Sequence, residues 1–184
     1  MAYEQSVDVA KRMLAGVSAG QLDDPTPCAS WKVRDLINHL VGGSYFFAAA
    51  MNGDAGGDGS DAPDFASGDF KAAYDEGSSA AIAAFAAPGA MERTVTVPFG
   101  EFPGSAWMGL AATDTFTHAW DLAKALGQST DLAPELAEQL LAGARQAISD
   151  EIRGDEPMPF GVQQSCPDGA TPADRLAAFL GRSV

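Results

Sequence analysis

The chain has 184 residues, a length that suits one globular domain better than two. Its hydrophobic fraction of 46% is ordinary for a globular protein. Its 25 acidic residues outnumber its 11 basic residues and give a net charge of -14, so nucleic acid and anionic membrane surfaces are poor partners. No apolar run reaches the roughly 20 residues that span a bilayer, and the N-terminus does not have the pattern of a signal peptide, so we expect a cytoplasmic protein.

The first half of the chain is predicted to hold two helices separated by a proline-containing connector. Residues 4–19 carry apolar side chains at helical spacing, and the prolines of residues 21–30 follow that helix. Ser30 is a suitable N-cap for a second helix through residues 31–53. A loop rich in glycine and aspartate follows over residues 53–69. Its acidic residues do not match EF-hand spacing, so we expect a solvated loop and not a calcium site.

The second half is predicted to contain three more helices and one short β element. Residues 69–87 form an alanine-rich third helix, and the alternating segment RTVTVPFGEF indicates a short strand or hairpin. A fourth helix covers about residues 105–126, and a fifth covers about residues 133–152. A last short helix is predicted to begin after Thr171, which has a suitable side chain for its cap.

The order of these elements predicts the fold class. We see no internal repeat and no linker, so residues 1–184 are expected to form one domain. The predicted architecture is all-α: a four-helix bundle with a short β element between the third and fourth helices and a small C-terminal helix.

The two histidines of the chain occupy informative positions on their helices. His39 follows Leu36 at i+3 and precedes Phe47 by eight residues, which places it on the apolar face of the second helix. His118 lies four residues after Asp114, so their side chains share one face of the fourth helix about 6 Å apart. The row containing this pair is apolar at both ends and ionisable in its middle: Leu110, Asp114, His118, Leu122 and Ala125.

An ionisable pair within an apolar row needs compensation. A buried carboxylate costs several kcal/mol, roughly, unless it is paired or bound to a metal. An imidazole and a carboxylate at this spacing can bind one ion, and a histidine from a neighbouring helix would complete a three-ligand set with open positions. A satisfied core histidine and a solvated ion pair are the alternatives, and the spacing alone favours them over a metal site.

Two longer motifs resemble a known family. The segment TPCASWKVRDLINHLVGG, residues 26–43, is similar to the first signature of the DinB/YfiT-like superfamily. It is closest to the actinobacterial branch that includes the N-terminal domain of mycothiol-dependent maleylpyruvate isomerase. The segment DTFTHAWD, residues 114–121, resembles the second signature, and the ending TPADRLAAFLGR resembles that of other members. The resemblance covers nearly the whole chain.

The resemblance implies a four-helix bundle that holds one divalent metal ion in its core. Carried over residue by residue, the metal ligands fall on His39, Asp114 and His118. The family usually has glutamate where this chain has Asp114, and the shorter side chain could reach the ion differently or only through water. Zinc, nickel and iron all suit two imidazoles and one carboxylate.

Three residues near these ligands have alternative interpretations. Asp121 lies one turn after His118, where its carboxylate could accept the second imidazole N–H, although a partly exposed charge or a packing contact fits equally well. Cys28 is either a thiol at the mouth of the metal site or a small buried side chain. The second interpretation is favoured because Lys32 is its only basic neighbour in the sequence. Trp31 is expected to pack in the core.

The resemblance also implies a function. Enzymes of this superfamily are associated with low-molecular-weight thiols such as mycothiol, so we expect a metal-dependent thiol S-transferase or isomerase that acts on a small electrophile. Maleylpyruvate isomerase has a second domain that contributes to catalysis, so we do not expect that particular activity here. The alternative is a non-catalytic metal-binding or stress-response bundle, or a small-molecule-binding module. A homodimer is compatible with a bundle, although no particular residue argues for one.

Overall fold

The computed structural model describes residues 1–28, 30–55, 63–154, 158 and 160–184. These residues are mostly helical and include one small antiparallel sheet. The elements, in chain order, are α1 (Ala2–Ala15), α2 (Val33–Asn52), α3 (Phe70–Ala86), β1 (Thr94–Val97), β2 (Gly100–Pro103), α4 (Gly104–Ala125), α5 (Pro134–Ala147) and α6 (Pro172–Phe179). Short 3-10 helices lie at Ala19–Gln21, Phe65–Ser67 and Asp150–Ile152.

The first four helices pack around a shared core. Helix α1 packs mainly on α4, and α2 packs mainly on α3, while smaller contacts join α1 to α3 and α2 to α4. The centre of α4 is buried on nearly every side, and its alanines allow neighbouring helices to approach closely. A helix that is apolar around its circumference belongs in a protein interior. Polar side chains near the centre of α4 are therefore buried in the core as well.

Several predicted helix boundaries were wrong by a few residues. Helix α1 ends at Ala15 and not at residue 19, and α5 ends at Ala147 and not at residue 152. Helix α2 begins at Val33, so Ser30 is not its N-cap. The carboxylate of Asp35 instead accepts the backbone N–H of Lys32 at 2.9 Å, which satisfies one donor at the start of the helix.

Other predicted elements were confirmed. The RTVTVPFGEF segment forms the hairpin of β1 and β2, in which Val95 lies opposite Phe102. The cap predicted at Thr171 is present, because its hydroxyl accepts the backbone N–H of Asp174 at 3.1 Å. Part of the solvated loop predicted over residues 53–69 lies outside the described residues, which omit 56–62. Among the helices that are described, none combines the length and apolarity needed to cross a bilayer.

Candidate metal centre

The three residues predicted as metal ligands lie together where α2 meets α4. The Nε2 atom of His39 lies 3.3 Å from Oδ1 of Asp114, and Nε2 of His118 lies 3.5 Å from the same oxygen. The two imidazole rings are in contact, with their centroids 4.5 Å apart. The i, i+4 spacing on α4 and the apolar-face position on α2 thus bring all three side chains to one point.

The separations between these atoms fit one metal ion. The candidate donor atoms of His39, Asp114 and His118 all lie within 4.8 Å of one another. Bonds of about 2.1 Å at tetrahedral angles place neighbouring ligand atoms roughly 3.4 Å apart, close to the two measured distances. Two imidazole nitrogens and one carboxylate oxygen also form a donor set that borderline metals prefer. The Asp114 carboxylate, although shorter than that of glutamate, thus lies at such a separation from both imidazoles.

The cluster is more exposed on one side than on the other. The side chain of His118 is 10% exposed, whereas those of Asp114 and His39 are 27% and 36% exposed. Trp31, which was expected to pack in the core, is only half-buried and covers the two imidazoles, with ring centroids 4.8 Å from His39 and 5.4 Å from His118. The cluster is therefore more accessible to solvent at His39 and Asp114 than at His118.

The electrostatics of the cluster favour a charged carboxylate beside its imidazoles. Burial alone would raise the pKa of Asp114, but His39 and His118 hold it well below its usual range. Burial alone would lower the pKa of His118, but the carboxylates of Asp114 and Asp121 raise it well above its ordinary value. A metal ion that binds Nε2 of His118 would compete with a proton held there.

Asp121 contacts the opposite edge of the His118 ring. It is fully buried, and its Oδ2 atom lies 3.0 Å from Nδ1 of His118. A carboxylate at this distance accepts the Nδ1 proton, which leaves Nε2 facing Asp114 and His39. Burial would raise the pKa of Asp121, but the hydrogen bond from His118 and the charge of Arg182 lower it to about 2. Asp121 is thus a charged, buried hydrogen-bond acceptor and not a partly exposed charge.

Two further residues contact Asp121. Arg182, close to the C-terminus, lies 3.0 Å from its Oδ2 atom and 3.3 Å from its Oδ1 atom. The thiol of Cys28 lies 3.2 Å from Oδ2 of Asp121 and 4.0 Å from Nδ1 of His118. The sequence favoured a packing role for Cys28. In the structure its thiol also contacts Asp121, the residue that holds His118. Arg182 was not predicted, because no spacing rule connects a residue after the last helix with α4.

The fold and the cluster together describe a mostly helical protein with a candidate metal centre between two of its core helices. The chain belongs to the mycothiol maleylpyruvate isomerase N-terminal domain family, whose sequence model matches residues 3–123. Two uncharacterised proteins from the CDC 1551 / Oshkosh and H37Rv strains of Mycobacterium tuberculosis are each 44% identical to it over 188 residues. These alignments cover 100% of this chain and 97% of each relative. No solved structure matches the chain.

The matched region separates the residues of the site into two groups. His39, Asp114, His118 and Asp121 all lie within residues 3–123. Arg182 lies beyond that region, in a segment that the alignments to the two mycobacterial proteins do cover. The family match confirms the resemblance drawn from the two motifs.

Proposed function

We propose that residues 1–184 form a single DinB-like domain, a four-helix bundle of α1 to α4, that binds one divalent metal ion through His39, Asp114 and His118. The observation that carries this proposal is the convergence of three donor atoms within 4.8 Å on two packed helices. Zinc, nickel and iron all suit this donor set. Three protein ligands leave coordination positions open, as catalytic sites do.

The proposed ligand of the open position is a low-molecular-weight thiol of the mycothiol type. The name of the family supports this choice, because it pairs mycothiol with an isomerase domain. A bound metal ion would supply the stabilisation that keeps such a thiol deprotonated and nucleophilic. We propose that the protein acts on a small electrophile as a thiol-dependent S-transferase or isomerase.

The residues around the cluster suit this chemistry. The partial exposure of His39 and Asp114 gives a thiol a route to the site, while the buried side of His118 is closed by Asp121. Trp31 lies against both imidazoles and limits the access of water to them. Both cysteines of the chain are free thiols, in keeping with the reducing cytoplasm that we propose as its location.

Metal analysis of the purified protein tests the metal-binding part of the proposal. The wild-type protein is exposed to zinc or nickel, desalted and compared with a His39→Ala, His118→Ala double variant whose helicity is checked by circular dichroism. We expect close to one equivalent of metal in the wild-type protein and a trace in the double variant. Only trace metal in the wild-type protein, or equal metal in both proteins, would contradict the proposal.

A thiol titration of the cobalt-substituted protein tests the catalytic part. Binding of mycothiol through its sulfur produces an intense sulfur-to-cobalt absorption band, which a thiol-free analogue of mycothiol does not produce. We expect this band in the wild-type protein and none in the double variant. A protein that binds cobalt but shows no such band would instead support a non-catalytic metal-binding role.

A further inference from the structure

Arg182 connects the C-terminal segment to the buried side of the candidate metal centre. Its Nη2 atom lies 3.0 Å from Oδ2 of Asp121, and its Nε atom lies 3.3 Å from Oδ1. Two nitrogens of one guanidinium thus contact both oxygens of one carboxylate, a geometry that fixes the carboxylate plane. The Arg182 side chain is only 17% exposed, and that of Asp121 is fully buried.

The backbone around Arg182 is itself held in place. The backbone N–H of Arg182 donates to the carbonyl of Ala177 at 2.9 Å, and its Nη1 atom donates to the carbonyl of Leu180 at 3.1 Å. Gly181 has a φ of 95°, and a Cβ atom at this position would lie 2.7 Å from Cα of Gly161. Glycine is therefore required both for the turn and for the close approach that aims Arg182 at Asp121.

Helix α6 fastens this segment to the helix that carries the cluster. The indole Nε1 of Trp120 on α4 donates to the carboxylate of Asp174 on α6 at 2.9 Å. This bond joins α6 to the helix that carries His118 and Asp121. The position of Arg182 relative to Asp121 is therefore set by contacts on both sides of the ion pair.

We propose that Arg182 is a positioning residue for the metal centre: it fixes the Asp121 carboxylate, which in turn orients His118 with its Nε2 atom toward His39 and Asp114. This inference rests on the proposed metal-binding function. It makes the C-terminal segment part of the site, although Arg182 lies outside the region matched to the family, residues 3–123. Residues that hydrogen-bond directly to a ligating histidine, as Asp121 does to His118, commonly contribute a factor of about 10–100 to metal affinity.

The direction in which zinc affinity changes when Arg182 is removed distinguishes positioning of His118 from simple charge repulsion. Removing a cation beside a metal site would strengthen the binding of another cation if charge alone mattered. Removing a residue that positions His118 would instead weaken the binding of the metal ion. Because Arg182 acts through Asp121, we expect Arg182→Ala to weaken zinc binding by about 10-fold, the lower end of that range, and Arg182→Lys to restore part of the loss because lysine can pair with Asp121 at one point.

The matched control is Arg175→Ala, which removes an arginine from α6, the helix that precedes Arg182. Arg175 contacts the carbonyl of Ala170 and the side chain of Glu138, and neither belongs to the candidate site. Zinc affinity is measured by competition with a chromophoric chelator. We expect the wild-type affinity in Arg175→Ala. An unchanged or stronger affinity in Arg182→Ala would overturn the proposal.

A second measurement on the metal-free protein keeps the two proposals distinguishable. The Nδ1 proton of His118, hydrogen-bonded to Asp121, should give a protected downfield proton resonance, which is assigned by its loss in His118→Ala. We expect this resonance in the wild-type, Arg182→Lys and Arg175→Ala proteins and its loss through solvent exchange in Arg182→Ala. If Arg182→Ala does not fold, Arg182→Met takes its place, since methionine fills similar space but has no N–H donor and no charge.

The zinc affinity and the proton resonance test different proposals. A wild-type protein that binds neither zinc nor nickel contradicts the proposed function, whatever the resonance shows. A resonance that is equally protected in the wild-type protein and the Arg182 variant shows that Asp121 and His118 keep their positions without the arginine, and it overturns the positioning role even if zinc binds.

Discussion

Replacement of Asp114 by asparagine tests whether the central carboxylate is a metal ligand. The two side chains are nearly equal in size, so Asp114→Asn removes the negative charge with little change in packing. Asp114 is the only carboxylate that contacts the Nε2 atoms of both His39 and His118 among the described residues. Its loss leaves two imidazoles and a weakly coordinating amide at the common point.

The expected loss of zinc affinity in Asp114→Asn can be expressed as a change in free energy and then as a change in Tm. Removing one charged partner from a buried ionic contact costs about 3–5 kcal/mol, which corresponds to a factor of about 10²–10⁴ in Kd. Zinc at 100 times the wild-type Kd stabilises the folded protein by about 2.7 kcal/mol. For a chain of this length, that free energy raises the Tm by about 5–10 °C. The same zinc concentration should raise the Tm of Asp114→Asn by about 1 °C or less.

Thermal denaturation with zinc and with a chelator measures this difference. Asp8→Asn is the matched control, because Asp8 is exposed on α1 and its replacement changes the net charge by the same amount. We expect the control to keep the full zinc-dependent rise in Tm. Asp114→Glu should also bind zinc, since it keeps a carboxylate at a partly exposed position. A zinc-dependent rise in Asp114→Asn equal to that of the wild-type protein would refute direct ligation by Asp114.

Three further predictions concern stability and the roles of neighbouring residues. Gly104→Ala should lower the free energy of unfolding, measured by urea denaturation, by about 1–3 kcal/mol, because its Cβ would overlap a backbone carbonyl. The control is Gly109→Ala in the same helix, where a Cβ meets no atom within 4 Å. This substitution should be neutral or stabilising in the same assay. Burial, followed by the charge of Asp114, raises the pKa of Tyr3, and burial likewise raises that of Tyr74. Unfolded tyrosines lose their protons near pH 10, so stability should fall as the pH rises above about 10, and phenolate absorbance should increase together with loss of helicity. Cys28→Ser should keep its contact with Asp121 and bind zinc within about threefold of the wild-type affinity, as measured by chelator competition.

Local sequence patterns were sufficient to predict most elements and the faces on which His39, Asp114 and His118 lie, whereas their grouping as one ligand set came from the family resemblance. The i, i+4 relation of Asp114 and His118 is a property of one helix, and the apolar neighbours of His39 indicate which face of α2 is buried. Bringing the three side chains together requires only that the two apolar faces pack against each other. The hairpin followed equally from alternation and from a turn containing Pro98 and Gly100.

The features that the sequence did not predict depend on tertiary contacts. Asp35 caps α2 from inside the helix, so a suitable Ser30 three residues before the helix was a misleading signal. Arg182 pairs with Asp121 across 61 positions, and both the positive φ of Gly181 and the docking of α6 are needed to bring them together. Neither contact leaves a periodic pattern in the chain, because each joins segments whose relative position is fixed only after folding.

The contacts on the two nitrogens of His118 determine which side of the imidazole can accept a metal ion. Cys28, His118 and Asp121 form a second group whose donor atoms lie within 4.8 Å of one another. However, the guanidinium of Arg182 lies 3.0 Å from the Asp121 carboxylate and 3.7 Å from the Cys28 sulfur, so a cation on this side would have to displace a cation already paired there. No arginine or lysine is paired with Asp114 on the Nε2 side among the described residues, and its carboxylate contacts the imidazoles of His39 and His118. The same arginine that pairs with Asp121 on the Nδ1 side thus leaves the Nε2 side, beside Asp114, as the side at which we propose that a metal ion binds.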